Sequence, residues 1–224
     1  MNLARIRTYR KHSRWSDGLF WKNPVLIGGL ALPLAIIVSH NLKSAAAISI
    51  LMACSLVPTV LFALLIGRRL PQWIASMLYM GMALALVVAS EPLILPIAPG
   101  INDTLGVYLP ILSVNTVLST LCARAASKRV RPFLLMVDAV VYSAGFALAM
   151  ALIACVRELF GSNTIWGIAV KFPIRTRGMQ IAFAGFILVA LFGALFRSLH
   201  RVVIALLCRR PRRQAEAAGQ PSGR

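Results

Sequence analysis

The sequence predicts an all-α integral membrane protein: six transmembrane helices in two inverted three-helix repeats, with short, interrupted helices at spans one and four. Three observations predict it. Of 224 residues, 59% are hydrophobic and only 13% are charged, against about 45–50% and about 25% in a soluble domain. The apolar residues lie in long runs separated by short polar loops, as membrane spans do, and leave no room for a second, soluble domain. The first and fourth runs are both short and broken, and each is followed by two longer ones. An odd number of helices per repeat makes the two halves opposite in orientation. Paired, interrupted segments in matching positions point to a central site.

Residues 1–23 form a basic cytoplasmic segment carrying Arg5, Arg7, Arg10, Lys11, Arg14 and Lys22, with Trp15, Phe20 and Trp21 near the first span. Cations beside interfacial aromatics suit a chain lying on an anionic leaflet; a docking arm for a partner subunit is the alternative. No small-residue cleavage site follows, so the first apolar run reads as a retained helix.

The membrane domain spans residues 24–200. Its first span, Pro24–Ser39, is interrupted by Gly28, Gly29 and Pro33. The second is Ser44–Ile66, with Pro58 as a kink. The third is Gln72–Leu93. A loop at 96–106 holds Asp103 and no Lys or Arg, so it faces outward. The fourth span, Val107–Ala123, holds Pro110, Ser113, Asn115, Thr116 and Ser119. Arg124, Lys128, Arg129 and Arg131 follow it and face the cytoplasm. The fifth span is Phe133–Ala154, leading to Arg157 and Glu158. An outer loop with Gly161, Gly167, Lys171, Arg175 and Arg177 comes next; its positive charge runs against the alternation. The sixth span is Met179–Leu199. Residues 201–224 read as a basic, disordered cytoplasmic tail. This alternation puts both termini inside a bacterial cytoplasmic (inner) membrane.

The net charge of +18 belongs to loops and tails between apolar runs, so it reports topology and not nucleic-acid binding. Cys54, Cys122, Cys155 and Cys208 form no CxxC pair and no Cys/His cluster, which removes support for zinc or c-type haem and leaves them as packing residues. His12, His40 and His200 lie outside spans or at their edges, and no Ser/His/Asp, Cys/His or phosphate-loop arrangement is present.

Three polar groups fall at membrane depth. Asp138 is the one acidic residue well inside an apolar run. A carboxylate there must be paired, protonated or wet, so it is either functional or locally paired with Arg131 or Lys128. Asn115 favours bonding a neighbouring helix over binding a ligand. With Thr116 and Asp138 it forms the candidate intramembrane polar site. Arg157 and Glu158 read as a snorkelling pair at a span end, or as groups that order the loop from Gly161.

The strings Asn23-Pro24-Val25-Leu26, Pro110-Ile111-Leu112-Ser113-Val114-Asn115, Asp138 with Gly145, and Arg157-Glu158-Leu159-Phe160-Gly161 through Ile165-Trp166-Gly167 resemble the Rnf/Nqr membrane subunit family. The basic start resembles its Nqr D-type and Rnf E-type subunits more than the inverted partner. The resemblance makes Asn23, Pro24, Arg157, Glu158 and Gly161 candidate structural residues. It implies six helices in two inverted repeats with half-helices at spans one and four. It implies a membrane complex that passes electrons between NADH or ferredoxin and quinone or NAD, coupled to sodium or proton movement. In that family two oppositely inserted subunits hold a [2Fe–2S] cluster, each giving one cysteine from span one and one from span four. Here Pro33 stands at the first such position and Thr116 at the second. Neither supplies a thiolate, so no metal ligand is assigned.

The expectation is therefore a membrane subunit of an Rnf/Nqr-like ion-translocating electron-transport complex, a diverged member without its own iron–sulfur ligands and at most a non-catalytic subunit of a redox-driven translocase. Its partners are the lipid bilayer and other membrane subunits, including an inversely oriented homologue. The alternatives are a small-solute or ion transporter built on the same repeat, and a membrane scaffold or assembly protein.

Overall fold

The computed structural model describes residues 23–67, 70–97, 106, 108–126, 131–170, 173 and 176–218. Expectations for the basic residues 1–22, for Arg68, Arg69, Asp103, Lys128, Arg129, Lys171 and Arg175, and for the last six residues fall outside them.

The described chain is helical apart from one small hairpin. Its helices are α1 (Leu32–Ile37), α2 (Leu42–Ile66), α3 (Gln72–Ile94), α4 (Tyr108–Ser113), α5 (Thr116–Ala126), α6 (Pro132–Ser162) and α7 (Ala182–Ala218). Strands β1 (Thr164–Ile165) and β2 (Ile168–Ala169) pair antiparallel after α6. A 3₁₀ turn, Arg177–Gln180, precedes α7.

Five segments are long and apolar enough to cross a membrane: Leu42–Ile66, Trp73–Ile94, Tyr108–Ala126, Pro132–Ser162 and Ala182–Val202. They overlap the second to sixth spans read from the sequence. The Pro24–Ser39 segment is different. It makes helical turns from Asn23 to Leu30, then reverses hand at Gly29 (φ 65°) and Ala31 (φ 58°) before α1 begins. Glycine takes that conformation freely and alanine does not. Pro33 sits in the first turn of α1, where its missing N–H costs nothing.

The fifth span extends eight residues beyond the sequence estimate, so Arg157 and Glu158 lie within α6 and not after it. Asn163 ends the helix in the left-handed region (φ 55°). Trp166 (φ 58°) and Gly167 (φ 79°) then close the hairpin as a two-residue turn of the primed kind that suits strand twist. The sixth span starts at Ala182, after the 3₁₀ turn. Its helix runs on to Ala218.

The core sits between α2 and α6. Ala45, Ile48, Met52, Leu56 and Ala63 of α2 are buried, as are Ala139, Phe146, Ala149, Ile153 and Ala154 of α6. Small residues at such positions let helix backbones approach in lipid, where apolarity alone gives no drive to associate. α3 packs on α2 but leaves Trp73, Met77 and Val88 exposed. α7 lies against the broken first segment through two glycines: a Cβ at Gly185 would stand 3.0 Å from Ile36, and one at Gly193 2.6 Å from the Leu26 carbonyl.

Candidate functional site

The two interruptions meet. The Ala31 amide, at the break before α1, donates to Thr116 Oγ1, at the start of α5, over 2.9 Å. A broken helix frees amides and carbonyls that lipid cannot satisfy. Here one break satisfies part of the other.

Each interrupted segment carries a capping asparagine: Asn23 at the start of the first, ahead of its break, and Asn115 at the break of the second. Asn23 is fully buried. Its Oδ1 accepts from Val25 N at 3.0 Å and Leu26 N at 3.1 Å. Its Nδ2 donates to the Gly145 carbonyl of α6 at 2.7 Å. Asn115 is also buried. Its Oδ1 accepts from Val117 N at 3.0 Å, and its Nδ2 points to Met52 Sδ of α2 at 3.3 Å. In both cases the side-chain carbonyl caps the turn that follows and the amide nitrogen reaches a long helix, α6 from Asn23 and α2 from Asn115. The sequence holds a signal for this that a span-by-span reading misses: Asn-Xaa-Val-Leu occurs at 23–26 and again at 115–118.

A second cluster holds the end of the same segment. Arg157 and Glu158 are buried, and neither snorkels to the surface. They face different ways from adjacent positions on α6. Arg157 Nη1 donates to the Ile36 carbonyl, and to Ser39 Oγ at 2.9 Å. Its Nε donates to the Met179 carbonyl at 3.1 Å and its Nη2 to the Gln180 carbonyl at 3.0 Å. Glu158 Oε2 accepts from Leu42 N at 2.7 Å, and Oε1 from Gly167 N at 2.9 Å and Thr164 Oγ1 at 3.1 Å. The cation thus meets one carbonyl at the end of α1 and two in the 3₁₀ turn before α7, and the carboxylate meets an amide at the start of α2 that has no intrahelical partner. Together they clamp the turn between the two helices, and Glu158 also holds the hairpin.

Gly161 belongs to this clamp: a Cβ there would lie 2.5 Å from Gln180 Nε2, which donates to Ser162 Oγ at 2.9 Å. Gln180 does not stand out in the sequence, since nothing local marks a residue whose partner lies 18 positions away.

Asp138 stands apart from both clusters. It pairs with Arg124 of α5 at 2.7 Å, with the two side chains 22% and 43% exposed, and not with Arg131. Arg124 is eight residues past Thr116, about 12 Å along a helix. Asn115 and Thr116 are neighbours at the break, while Asp138 is held at the far end of α5.

The donors at the breaks do not fit a thiolate-bound iron–sulfur cluster. Pro33 offers no side-chain donor, and the Thr116 hydroxyl already accepts the Ala31 amide. Cys122 is buried six residues beyond Thr116, about 9 Å along the helix. Among the described residues no three His, Cys, Asp or Glu side chains are grouped to hold a metal ion.

Comparison with known proteins gives a consistent picture. The model of the family described as "Rnf-Nqr subunit, membrane protein" matches residues 12–197. The E-type subunit of the ion-translocating oxidoreductase complex of Shewanella sp. (strain ANA-3) is 27% identical over 150 residues, covering 67% of this chain and 64% of that protein. The D-type subunit of the Na(+)-translocating NADH-quinone reductase of Pseudomonas aeruginosa (strain LESB58) is 25% identical over 152 residues, 68% of this chain and 67% of that one. Its counterpart from Serratia proteamaculans (strain 568) is 24% identical over 160 residues, 71% and 76% of the two chains. The chain thus spans a little under two thirds of the length of the Shewanella relatives it matches.

Proposed function

Because the chain belongs to the Rnf-Nqr family of membrane subunits, we propose that it is a membrane subunit of an ion-translocating oxidoreductase complex, serving there as scaffold and not as an electron carrier in its own right. The observation that carries this reading is the meeting of the two breaks at Ala31 and Thr116. A pair of interrupted helices joined by side-chain caps is a way to place irregular backbone at membrane depth. That arrangement serves a translocating complex and has no purpose in a simple anchor.

In this reading the chain crosses the membrane six times as two inverted halves. Support comes from the exchange of partners: Asn23 reaches α6 of the second half, and Asn115 reaches α2 of the first. A twofold axis in the membrane plane generates such an exchange. The basic loops favour both termini on the cytoplasmic side of a bacterial inner membrane. The other membrane subunits include an oppositely inserted relative. Redox centres belong to those partners, since Pro33 and Thr116 offer this chain no thiolate. The polar residues Asn115 and Thr116 serve the contact between halves, and Asp138 serves a local ion pair.

The test is affinity purification of the full chain from its native membranes, with flavin, iron and acid-labile sulfide assayed. The expected result is co-purification of flavin- or iron–sulfur-bearing partners, with no iron left on the chain once it is separated from them. Recovery as a lone, colourless monomer contradicts the reading.

A further inference from the structure

Between the broken first segment and α7 runs a groove of about 460 Å³, within the roughly 300–1,000 Å³ usual for small-molecule sites. One wall is Val25, Leu26 and Leu32; the other includes Val189 and Ala190 of α7. Arg197 and Arg201 line it as well. Four residues apart, they project from one helix face, about 6 Å from each other along the axis. Both are exposed. Among the described residues no hydrogen bond or ion pair engages either, and no Asp or Glu lines the groove.

Two guanidinium groups beside an apolar trough suit an anion that carries a hydrocarbon chain. The guanidinium fork matches phosphate oxygens, and basic pockets between transmembrane helices suit anionic headgroups. We propose that this groove is a binding site for an anionic glycerophospholipid, with its phosphate on Arg197 and Arg201 and one acyl chain along Val25, Leu32, Val189 and Ala190. The position of the cations, at the C-terminal end of the Ala182–Val202 span, puts the headgroup at the membrane surface and the groove within the hydrocarbon. Snorkelling arginines on an open helix face would hold lipids without regard to the groove. A built site requires both the charge pair and the trough.

The experiment is native mass spectrometry of the full-length chain in detergent, titrated separately with dioleoylphosphatidylglycerol and dioleoylphosphatidylcholine. The wild type should bind the anionic lipid about tenfold more tightly, a difference near 1.4 kcal/mol. The double variant R197Q/R201Q should lose that preference, while R197K/R201K keeps most of it. Ala190→Trp, which fills the trough and leaves both cations, should weaken phosphatidylglycerol binding about tenfold as well. Equal binding of the two lipids by the wild type overturns the proposal, as does an unchanged preference in R197Q/R201Q. Unchanged binding in Ala190→Trp also overturns it, leaving only surface charge attraction. Displacement of the lipid by excess inorganic phosphate alone would assign the site to free anions instead. A photo-crosslinker at Ala190 should capture lipid in native membranes; capture of a polypeptide would make the groove a subunit interface and end the lipid account.

Discussion

Replacing Arg157 by methionine keeps much of the side chain's volume and removes every hydrogen bond it makes. The residue is 1% exposed; its bonds to the Ile36 carbonyl and the Ser39 hydroxyl are buried, and those to the Met179 and Gln180 carbonyls are partly buried. The Ile36, Met179 and Gln180 carbonyls and the Ser39 hydroxyl lose their donor together. A buried acceptor stranded in this way costs about 1–3 kcal/mol. Taking the low end for each, with partial relaxation, the loss comes to about 3–5 kcal/mol. For a chain of this size each kcal/mol lowers the melting temperature by about 2–4 °C, so Arg157→Met in detergent should melt roughly 6–20 °C below wild type. Arg157→Lys keeps the charge but cannot span carbonyls of two separate segments with one planar fork; it should fall between the two. The assay is thermal unfolding followed by helicity, in the same detergent for all three proteins. A melting temperature for Arg157→Met within about 2 °C of wild type would refute the claim that this side chain ties the end of α1 to the turn before α7.

Two further substitutions probe the breaks and the ion pair. Thr116→Val removes the acceptor of the Ala31 amide and should cost about 1–3 kcal/mol, whereas Thr116→Ser should cost less than half of that by the same unfolding assay; equal losses would mean the hydroxyl is not what matters. Asp138→Asn breaks a pair whose arginine is 43% exposed, so stability should fall by about 1 kcal/mol or less, and a large loss would place Asp138 in a more consequential role than the ion pair gives it.

Much of the helical layout was legible because each long span is a single covalent stretch of apolar residues. α2 and α3 begin and end within about two residues of the sequence estimate. The interruption of the first span was legible for the same reason: Gly28, Gly29 and Pro33 are local signals, and the hand reversal falls among them. The end of α6 was not. Arg157 and Glu158 looked like the polar close of a span, because sequence shows charge but not whether carbonyls and amides from elsewhere will surround it. α7 overran its estimate for a related reason: the membrane sets where apolarity stops, not where a helix must. The partners of Asn23, Thr116 and Gln180 lie 122, 85 and 18 residues away, beyond any pattern of local periodicity. Asp138 needs a partner by its place in an apolar run, yet the one it takes, Arg124, sits on the preceding helix and not in the adjoining loop.

In the proposed threading, two broken segments enter from opposite faces of the membrane and come together at its middle. Single-cysteine labelling measures this directly, with a membrane-impermeant maleimide applied to either side of sealed vesicles from a background lacking the native cysteines. Asn41→Cys, in the turn after the first break, should react only from outside. Arg129→Cys, in the loop after the second, should react only from the cytoplasmic side. Labelling of both from the same side would mean that the halves run in the same sense, and the opposed threading proposed here would be wrong.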